Sequence, residues 1–314
     1  MGTGKKPIVV VGSINLDLVA NADRIPAAGE TVHGRDFQTH PGGKGANQAV
    51  AVARLGYPVE MIGKLGSDAL GDQLWNHLQS AGVGLQGVER TEGTSGVAMI
   101  VVAVDGENCI VVTPGANADV TPEYVDRHSE LIRNAGLVLT QLEIPIATVE
   151  HLTDLCFEYG VPLMLDPAPA QALSPGLLKR VRWFTPNETE AAFYAAKGSD
   201  ADDDSASRGM AEHLLTQGPE GVLLKLGSRG AYLATDGMGE QVDAMVVKVV
   251  DTTAAGDTFN GAFAVALMLG KSPQESARFA VAAAALSVTS GGAQPSMPAF
   301  DEVQQMLDKA EKRR

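Results

Sequence analysis

The residues best suited to chemistry lie in the run DTTAAGDTFN (251–260). Ala254, Ala255 and Gly256 are small and precede a helical pattern, so they would place bare backbone N–H groups at a helix start. Those donors and the helix dipole together favour an anion, such as a phosphoryl group in transfer. Asp257 falls in the first helical turn, where its carboxylate can accept the proton of a substrate hydroxyl. The run alone fits two roles for Asp257 equally well, a catalytic base or a helix N-cap.

A second motif, PGGKGANQAVAVARLG (41–56), is a Gly-rich loop that opens a helix. Gly43 and its neighbouring glycines permit a ligand to approach the backbone closely, and Lys44 and Asn47 supply polar groups along the loop. By itself the motif fits either a phosphate-binding loop or a tight turn.

A third motif, TPNETEA (185–191), places Asn187 and Glu190 three residues apart on one helical face. The pair either holds a hydrated Mg²⁺ near a triphosphate or forms a helix cap. Two other matches fail on context. GVGLQG (82–87) follows a helical pattern and opens no helix, and GKS (270–272) lacks the first glycine of a Walker A loop.

Composition and charge restrict the class of protein. The 314 residues carry a net charge of −14, which disfavours nucleic acid or anionic lipid as the main partner. The apolar stretch AFAVALMLG (262–270) is too short to span a bilayer, and Cys109 and Cys156 form no CxxC pattern. The acidic tract DADDD (200–204) lacks the glycine and distal glutamate of an EF-hand, so we expect a solvated loop there. We therefore expect a cytoplasmic protein with neither nucleic acid nor a membrane as its partner.

The elements that must position these motifs alternate along the chain. Strand-like runs are predicted at IVVVG (8–12), AMIVVAV (98–104), CIVVT (109–113), GLVLTQL (136–142), VPLMLD (161–166), RWFTPN (182–187), GVLLKLG (221–227), AYLAT (231–235) and VVKVVD (246–251). Helical patterns are predicted at 45–55, 72–81, 122–134, 146–159, 188–196, 207–217 and 300–314. Because strands and helices alternate and several strands are apolar throughout, the sequence predicts an α/β fold with a mostly parallel central sheet flanked by helices.

Two regions break this alternation. Residues 13–40 show polar alternation without a clear helix, and residues 94–113 resemble a hairpin around the turn DGEN (105–108). These segments form either a small separate sheet that covers a pocket or an antiparallel extension of the main sheet.

The motifs, taken together and in order, identify a family. They are GSINLDLV (12–19), PGGKGANQAVA (41–51), TQLE (140–143), DPAPA (166–170), TPNETEA (185–191), LGSRGA (226–231), DTTAAGDTFNGA (251–262) and GGAQPSMP (291–298). With these features over nearly its whole length, the chain resembles the PfkB-type carbohydrate kinase family. The resemblance implies one α/β domain over 1–314, with a small β-sheet lid formed from about 13–40 and 94–113.

The resemblance also implies the site residues. Sugar contacts would fall on Asn15, Asp17, Gly43, Lys44, Asn47, Glu143 and Asp257, and the anion hole on Ala254, Ala255 and Gly256. ATP would lie along Asn187, Lys225, Gly227, Ser228, Gly230 and Gly256. Family members more often have Thr or Ser where Lys225 stands, so this lysine either touches phosphate or points to solvent. Mg²⁺ would be organised by Glu190, through water. A monovalent cation, usually K⁺, would be held mainly by backbone carbonyls at Asp251, Thr253, Ser287, Ser290, Gly292 and Ser296.

The activity that the resemblance implies is ATP-dependent phosphorylation of D-ribose at its 5-hydroxyl. A kinase for deoxyribose, fructose or adenosine is the alternative, and Asn15 favours ribose because its amide can bond the 2-hydroxyl. A sugar-binding sensor without catalysis would need to have lost the base or the anion hole, and both are present. The resemblance further implies a homodimer in which two lids pack through the apolar hairpin of AMIVVAV and CIVVT.

Overall fold

The computed structural model describes residues 4–195 and 204–312. Ala196, residues 313–314 and residues 200–203 of the acidic tract, for which the sequence makes predictions, lie outside these ranges. Within them, every helix falls short of the length and apolarity needed to cross a bilayer.

A nine-stranded sheet forms the centre of the molecule, in the order β13-β12-β11-β10-β9-β8-β1-β4-β5. Its strands are β1 (Ile8–Val11), β4 (Val59–Gly66), β5 (Gly84–Thr91), β8 (Leu137–Thr140), β9 (Leu163–Leu165), β10 (Trp183–Phe184), β11 (Gly221–Lys225), β12 (Ala231–Thr235) and β13 (Met238–Val242). All neighbours pair in parallel except β11 with β12 and β12 with β13. The predicted α/β fold with a mostly parallel sheet is confirmed.

Helices cover both faces of this sheet. They are α1 (Lys44–Arg54), α2 (Ala69–Ser80), α3 (Pro122–Arg127), α4 (Ser129–Arg133), α5 (Ile146–Tyr159), α6 (Glu188–Ala195), α7 (Asp204–Thr216), α8 (Ala255–Met268), α9 (Pro273–Ser287) and α10 (Phe300–Glu311). Short 3₁₀ helices occur at Gly115–Asp119, Leu177–Arg180, Gly227–Arg229 and Gln294–Ser296.

The two covered faces explain the uniformly apolar strands. Ile8 and Val10 of β1 belong to the core cluster that includes Phe263 of α8, whereas Val9 belongs to the cluster that includes Leu152 of α5. Because side chains alternate along a strand, a strand buried on both faces must be apolar at every position.

A second sheet, which we call the small sheet, has the order β3-β2-β6-β7. It comprises β2 (Asn15–Ala22), β3 (Gly34–Gly42), β6 (Gly96–Ala103) and β7 (Asn108–Thr113). The residues outside the strand and helix alternation therefore form a separate sheet, and the alternative of an extension to the main sheet is wrong.

Two local predictions are wrong, and three strands were not predicted. Residues 246–251 form no strand: they are an irregular, mostly exposed segment, in which the backbone N–H of Val250 donates to the carbonyl of Val288 at 2.8 Å. The pattern at 122–134 is two helices, α3 and α4, which meet at His128. The strands β4, β5 and β13 were missed because glycines and charged or amide side chains interrupt their apolar residues.

Candidate active site

Chain topology gathers the polar motifs at one edge of the central sheet. Glu143 follows β8, Asp166 follows β9 directly, and Lys225 ends β11. In parallel sheets the loops after the carboxyl ends of the strands meet at the same edge, which is where ligands bind in open α/β folds. Asp257 joins them from the first turn of α8, and Asn47 from α1.

The start of α8 leaves backbone donors free. Ala254, its N-cap residue, has φ 57° and ψ 17°, and is the one non-glycine residue with positive φ in the described ranges. The N–H of Ala255 donates to the carbonyl of Thr252 at 3.2 Å, whereas those of Gly256 and Asp257 donate no hydrogen bond to any described residue. Strained backbone of this kind is retained where it serves a site. The anion site predicted at 254–256 thus offers the N–H groups of Gly256 and Asp257.

Asp257 does not cap the helix. Its carboxylate instead accepts hydrogen bonds from Asn47 Nδ2 at 3.0 Å and from Gln48 Nε2 at 3.2 Å, and the residue is buried. No side chain caps α8. The N-cap alternative for Asp257 is therefore wrong, and its side chain faces the Gly-rich motif of α1.

A chain of buried amides surrounds this carboxylate, and the sequence did not reveal it. Gln48 Nε2 also donates to Asp166 Oδ2 at 2.9 Å, and Gln48 Oε1 accepts from Gln141 Nε2 at 2.7 Å. On the other side, Gln294 Nε2 donates to Asn47 Oδ1 at 2.9 Å. The available signals were the position of Gln48 beside Asn47 and of Asp166 at the end of an apolar strand.

Burial and nearby charges shift the ionisation of this cluster. Burial raises the pKa of Asp257 from 3.8 to about 6, although the positive charge of Lys44 acts in the opposite direction. Burial, with repulsion from Glu143 and Asp257, likewise raises the pKa of Asp17 to about 6. Burial alone would lower the pKa of Lys44, but the carboxylates around it, Asp257 foremost, outweigh burial and raise that pKa. Lys44 therefore stays charged near neutral pH.

The predicted sugar residues lie together around these groups. Glu143 Oε2 accepts from Ser13 Oγ at 2.6 Å and from the N–H of Lys44 at 3.1 Å. Asn15 Oδ1 accepts from Asn117 Nδ2 at 2.7 Å, which fixes the orientation of its amide. Asn15 Nδ2 has no hydrogen-bond partner in the described ranges, so it remains a donor.

Close approach explains the glycines of this loop. Gly43 has φ 84°, and a Cβ there would lie 2.7 Å from the backbone nitrogen of Asn15. A Cβ on Gly45 would lie 2.7 Å from the carbonyl carbon of Gly12 and from the nitrogen of Ser13. The loop can therefore pack against the end of β1 only without side chains at these positions.

An apolar cleft of about 490 Å³ opens on the other side of the α8 N-terminus. Its lining comprises Lys225, Gly227, Ser228, Gly230, Ala244, Met245, Val246, Val247, Val249, Thr252, Ala255, Gly256, Phe259, Val281, Ala284, Ala285 and Val288. All the predicted ATP residues except Asn187 are among them. The valines that resemble a strand in the sequence thus form one wall of this cleft, and α9 forms another.

Asn187 and Glu190 form a cap at the start of α6, which was one of the two predicted roles of this pair. Asn187 Oδ1 accepts from the N–H of Glu190 at 2.8 Å, and Glu190 accepts from both the backbone N–H and Nδ2 of Asn187, at 2.8 and 3.0 Å. Asn187 precedes α6 rather than lying on its face. Burial, partly opposed by Lys225, raises the pKa of Glu190.

The predictions for Lys225 were a contact with phosphate or a side chain that points to solvent, and neither describes it fully. Its Nζ donates to Asp166 Oδ1 at 2.8 Å, and the side chain is only 13% exposed. It nevertheless lines the cleft, where a Cβ built on Gly256 would lie 3.7 Å from Nζ.

The residues predicted to hold a monovalent cation lie before α8 and from the end of α9 to Ser296, and the carboxylate of Asp251 joins these two segments. One carboxylate oxygen accepts from the N–H and Oγ1 of Thr253 at 2.9 and 2.6 Å, and the other accepts from the N–H of Gly292 at 2.8 Å. These hydrogen bonds outweigh burial and lower the pKa of Asp251. Ser287 Oγ and Ser296 Oγ each donate at 2.9 Å to a backbone carbonyl three residues earlier, and Ser290 is exposed.

Comparisons with known proteins show the family of this chain. The family described as pfkB family carbohydrate kinase matches residues 5–299. A ribokinase of Bacillus subtilis is 44% identical over 301 residues, which cover 96% of this chain and 99% of that protein. A deoxyribokinase of Salmonella typhi is 35% identical over 302 residues, covering 96% and 98%. The solved structure of Arabidopsis thaliana ribokinase complexed with ribose and ATP has a TM-score of 0.90 at 38% identity, covering 96% of this chain and 99% of that one.

Proposed function

The chain belongs to the pfkB family of carbohydrate kinases, and we propose that it transfers the γ-phosphoryl group of ATP to the 5-hydroxyl of D-ribose. The observation that carries this proposal is the position of Asp257. Its buried carboxylate is hydrogen-bonded to Asn47 on the polar side, and the preceding residue, Gly256, lines the apolar cleft. A base at the junction of a polyol site and a nucleotide cleft is what a sugar kinase requires.

The chemistry follows from this junction. As the 5-hydroxyl oxygen attacks the γ-phosphorus, its proton passes to the carboxylate of Asp257, and the bond to the β-phosphate oxygen breaks to release ADP. Phosphoryl transfer of this kind depends on positioning and charge stabilisation. The free N–H groups of Gly256 and Asp257, at the positive end of the α8 dipole, donate to the transferring oxygens. Lys44 adds a permanent positive charge beside them.

The sugar is held by convergent polar groups. Asp17 and Glu143 accept hydrogen bonds from its hydroxyls, Asn47 and Lys44 flank the reacting end, and Gly43 lets the ring approach the backbone. The free Nδ2 group of Asn15 donates to the 2-hydroxyl. Because its orientation is fixed by Asn117, a sugar without that hydroxyl leaves this donor unpaired, which disfavours 2-deoxyribose.

ATP occupies the apolar cleft. The flat adenine packs between Val249 and the α9 wall at Ala284, and the phosphates run past Gly227, Ser228 and Gly230 towards Gly256. Lys225 lies where these phosphates meet the start of α8. Asn187 and Glu190 lie outside the cleft lining. Asn187 is adjacent to Lys225, with which it forms an isolated parallel β-bridge.

Two cations fit the side chains present. Both oxygens of Glu190 keep acceptor capacity after capping, which suits a hydrated Mg²⁺ that neutralises charge on the ATP phosphates. For K⁺, the carbonyl oxygens of Thr253, Ser287, Ser290 and Gly292 accept no hydrogen bond within the described ranges, and such oxygens suit a monovalent cation. The carboxylate of Asp251 and the hydroxyl of Ser296 complete that donor set.

We also propose that the chain is one domain whose small sheet acts as a lid, and that two lids pack together in a homodimer. Apolar side chains exposed on this sheet support the second point: Phe37 is 63% exposed, and Met99, Ile110, Val111 and Val112 are each about half exposed. Lid closure would exclude water and limit ATP hydrolysis. The free thiols of Cys109 and Cys156 are consistent with a cytoplasmic location.

An ADP-release assay across D-ribose, 2-deoxyribose, fructose and adenosine, with and without K⁺, tests the function. We expect ribose to give the highest kcat/KM and K⁺ to raise it. A clear preference for 2-deoxyribose would assign the chain to the activity of its Salmonella relative instead. Tight binding of ribose and ATP without ADP formation would mean a sensor and contradict the proposal.

A further inference from the structure

We propose that Lys225 is a positioning residue for the catalytic base, acting on Asp257 through Asp166 and Gln48. The inference deepens the proposed function and rests on it for the identity of the base. Neither a phosphate contact nor a solvent-exposed lysine would require the ion pair that Lys225 makes with the buried Asp166.

The geometry of Gln48 is the central step of this chain. One amide nitrogen donates to Asp166 Oδ2 at 2.9 Å and to Asp257 Oδ1 at 3.2 Å, so both of its hydrogens are used. Its oxygen accepts from Gln141 Nε2 at 2.7 Å. A rotated amide would turn an oxygen towards two carboxylates and an N–H group towards another donor. The amide is therefore locked, and it couples the two carboxylates.

Lys225 balances the charge of that pair. Two carboxylates joined through one nitrogen repel each other, and Lys225 Nζ, 2.8 Å from Asp166 Oδ1, neutralises the outer one. Other charged groups face this pair from the elements packed around it: Lys44 from α1, Asp17 from β2, Glu143 from the loop after β8, and Glu190 from α6. Acids outnumber lysines in this cluster, so removal of Lys225 leaves the negative charge of Asp166 without a neutralising partner.

Substitution of Lys225 and of Asp166 should shift the pKa of Asp257 in opposite directions. Lys225→Met leaves the negative charge of Asp166 to act fully on Asp257, which raises the apparent pKa of Asp257 by about one pH unit. Asp166→Asn removes the repulsion and lowers that pKa by a similar amount of about one pH unit. The double variant removes both charges and restores a value close to that of the wild type. Lys225→Arg keeps the charge and is the matched conservative control.

The test is a ¹³C NMR titration of full-length protein labelled at aspartate carboxyl carbons, with the Asp257 resonance assigned by its loss in Asp257→Asn. This readout needs no turnover, so it remains decisive even if ribose is not the substrate. In parallel, the acid limb of the kcat profile should move with the titration, while KM for ribose changes less than about threefold.

Two results would overturn the inference. If Lys225→Met leaves the Asp257 titration in place and raises only KM for ATP, the lysine is a phosphate contact alone. If Lys225→Met and Asp166→Asn both lower the melting temperature without moving the titration in opposite directions, the ion pair is structural alone. Should one single variant fail to fold, the charge-balanced double variant and the other single variant still give the sign of the coupling.

Discussion

Replacement of Asp257 by Asn should make the protein more stable at pH 8 and leave its stability unchanged or slightly lower at pH 4.5. The pKa of Asp257 rises from 3.8 to about 6 on folding, a shift of about two units, which corresponds to about 3 kcal/mol. Because the folded pKa is the higher one, the ionised carboxylate destabilises the native state above pH 6, and this penalty shrinks as pH falls towards 3.8. The penalty removed is therefore about 3 kcal/mol at pH 8 and about 1 kcal/mol at pH 4.5.

The substitution also has a cost that does not depend on pH. An asparagine can accept from only one of the two donors, Asn47 Nδ2 and Gln48 Nε2, and turns its own amide nitrogen towards the other. That mismatch costs about 1–2 kcal/mol at either pH. The diagnostic quantity is thus the difference between the two stability changes, about 2 kcal/mol in favour of pH 8.

Urea unfolding of the wild type and Asp257→Asn at pH 4.5 and pH 8 measures this difference. Asp251→Asn is the matched control, since hydrogen bonds from Thr253 and Gly292 lower the pKa of Asp251 and make its carboxylate stabilising above its unfolded pKa. That variant should lose stability at pH 8. If Asp257→Asn changed the unfolding free energy equally at both pH values, or gained more at pH 4.5, burial would not raise the pKa of Asp257 on folding.

Three further predictions concern the rate, the loop and the cleft. Turnover should fall about tenfold per pH unit below about 6, as Asp257 becomes protonated, and a flat profile of ADP release between pH 4.5 and 8 would count against a carboxylate base. Gly45→Ala should lower the melting temperature by several degrees because the added Cβ would lie 2.7 Å from the carbonyl carbon of Gly12. Gly209→Ala on α7 is the control: no atom lies within 4 Å of the added Cβ, so the protein should gain about 1 kcal/mol of stability. Equal melting temperatures for the two variants would mean that the Gly-rich loop is not closely packed at Gly45. Ala285→Phe should fill the cleft and raise KM for ATP by about tenfold or more while the Kd for ribose from calorimetry holds, and the reverse pattern would place ATP elsewhere.

Much of the fold could be predicted because burial leaves a plain mark on the sequence. β1 and β11 are apolar at almost every position since helices cover both of their faces, and α5 appears with the same bounds in the sequence pattern and in the structure. The pattern fails where apolar residues serve something other than a sheet. Val246, Val247 and Val249 resemble part of a strand, yet they line a cleft, and nothing local to the sequence distinguishes the two uses.

The site was easiest to predict where the backbone imposes a residue type. Glycines at 43 and 45 and the small residues at 254–256 mark close approach and a free helix start, and a single sequence shows both. The buried amides carry no such mark. Gln48 meets Asp166 and Asp257 across 118 and 209 residues of chain, and its side chain becomes informative only when three elements converge. Lys225 was ambiguous for the same reason, because its partner lies 59 residues away.

The most direct test of Asp257 as the catalytic base compares phosphoryl transfer to D-ribose by the wild type and Asp257→Asn, with ribose affinity measured by calorimetry. We expect kcat to fall by about 10²–10⁴, the range for loss of a general base, while the Kd for ribose changes only a few-fold. We also expect the wild type to form ribose 5-phosphate and ADP in equal amounts, followed by ³¹P NMR. Turnover by Asp257→Asn near the wild-type rate would remove Asp257 from the role of base.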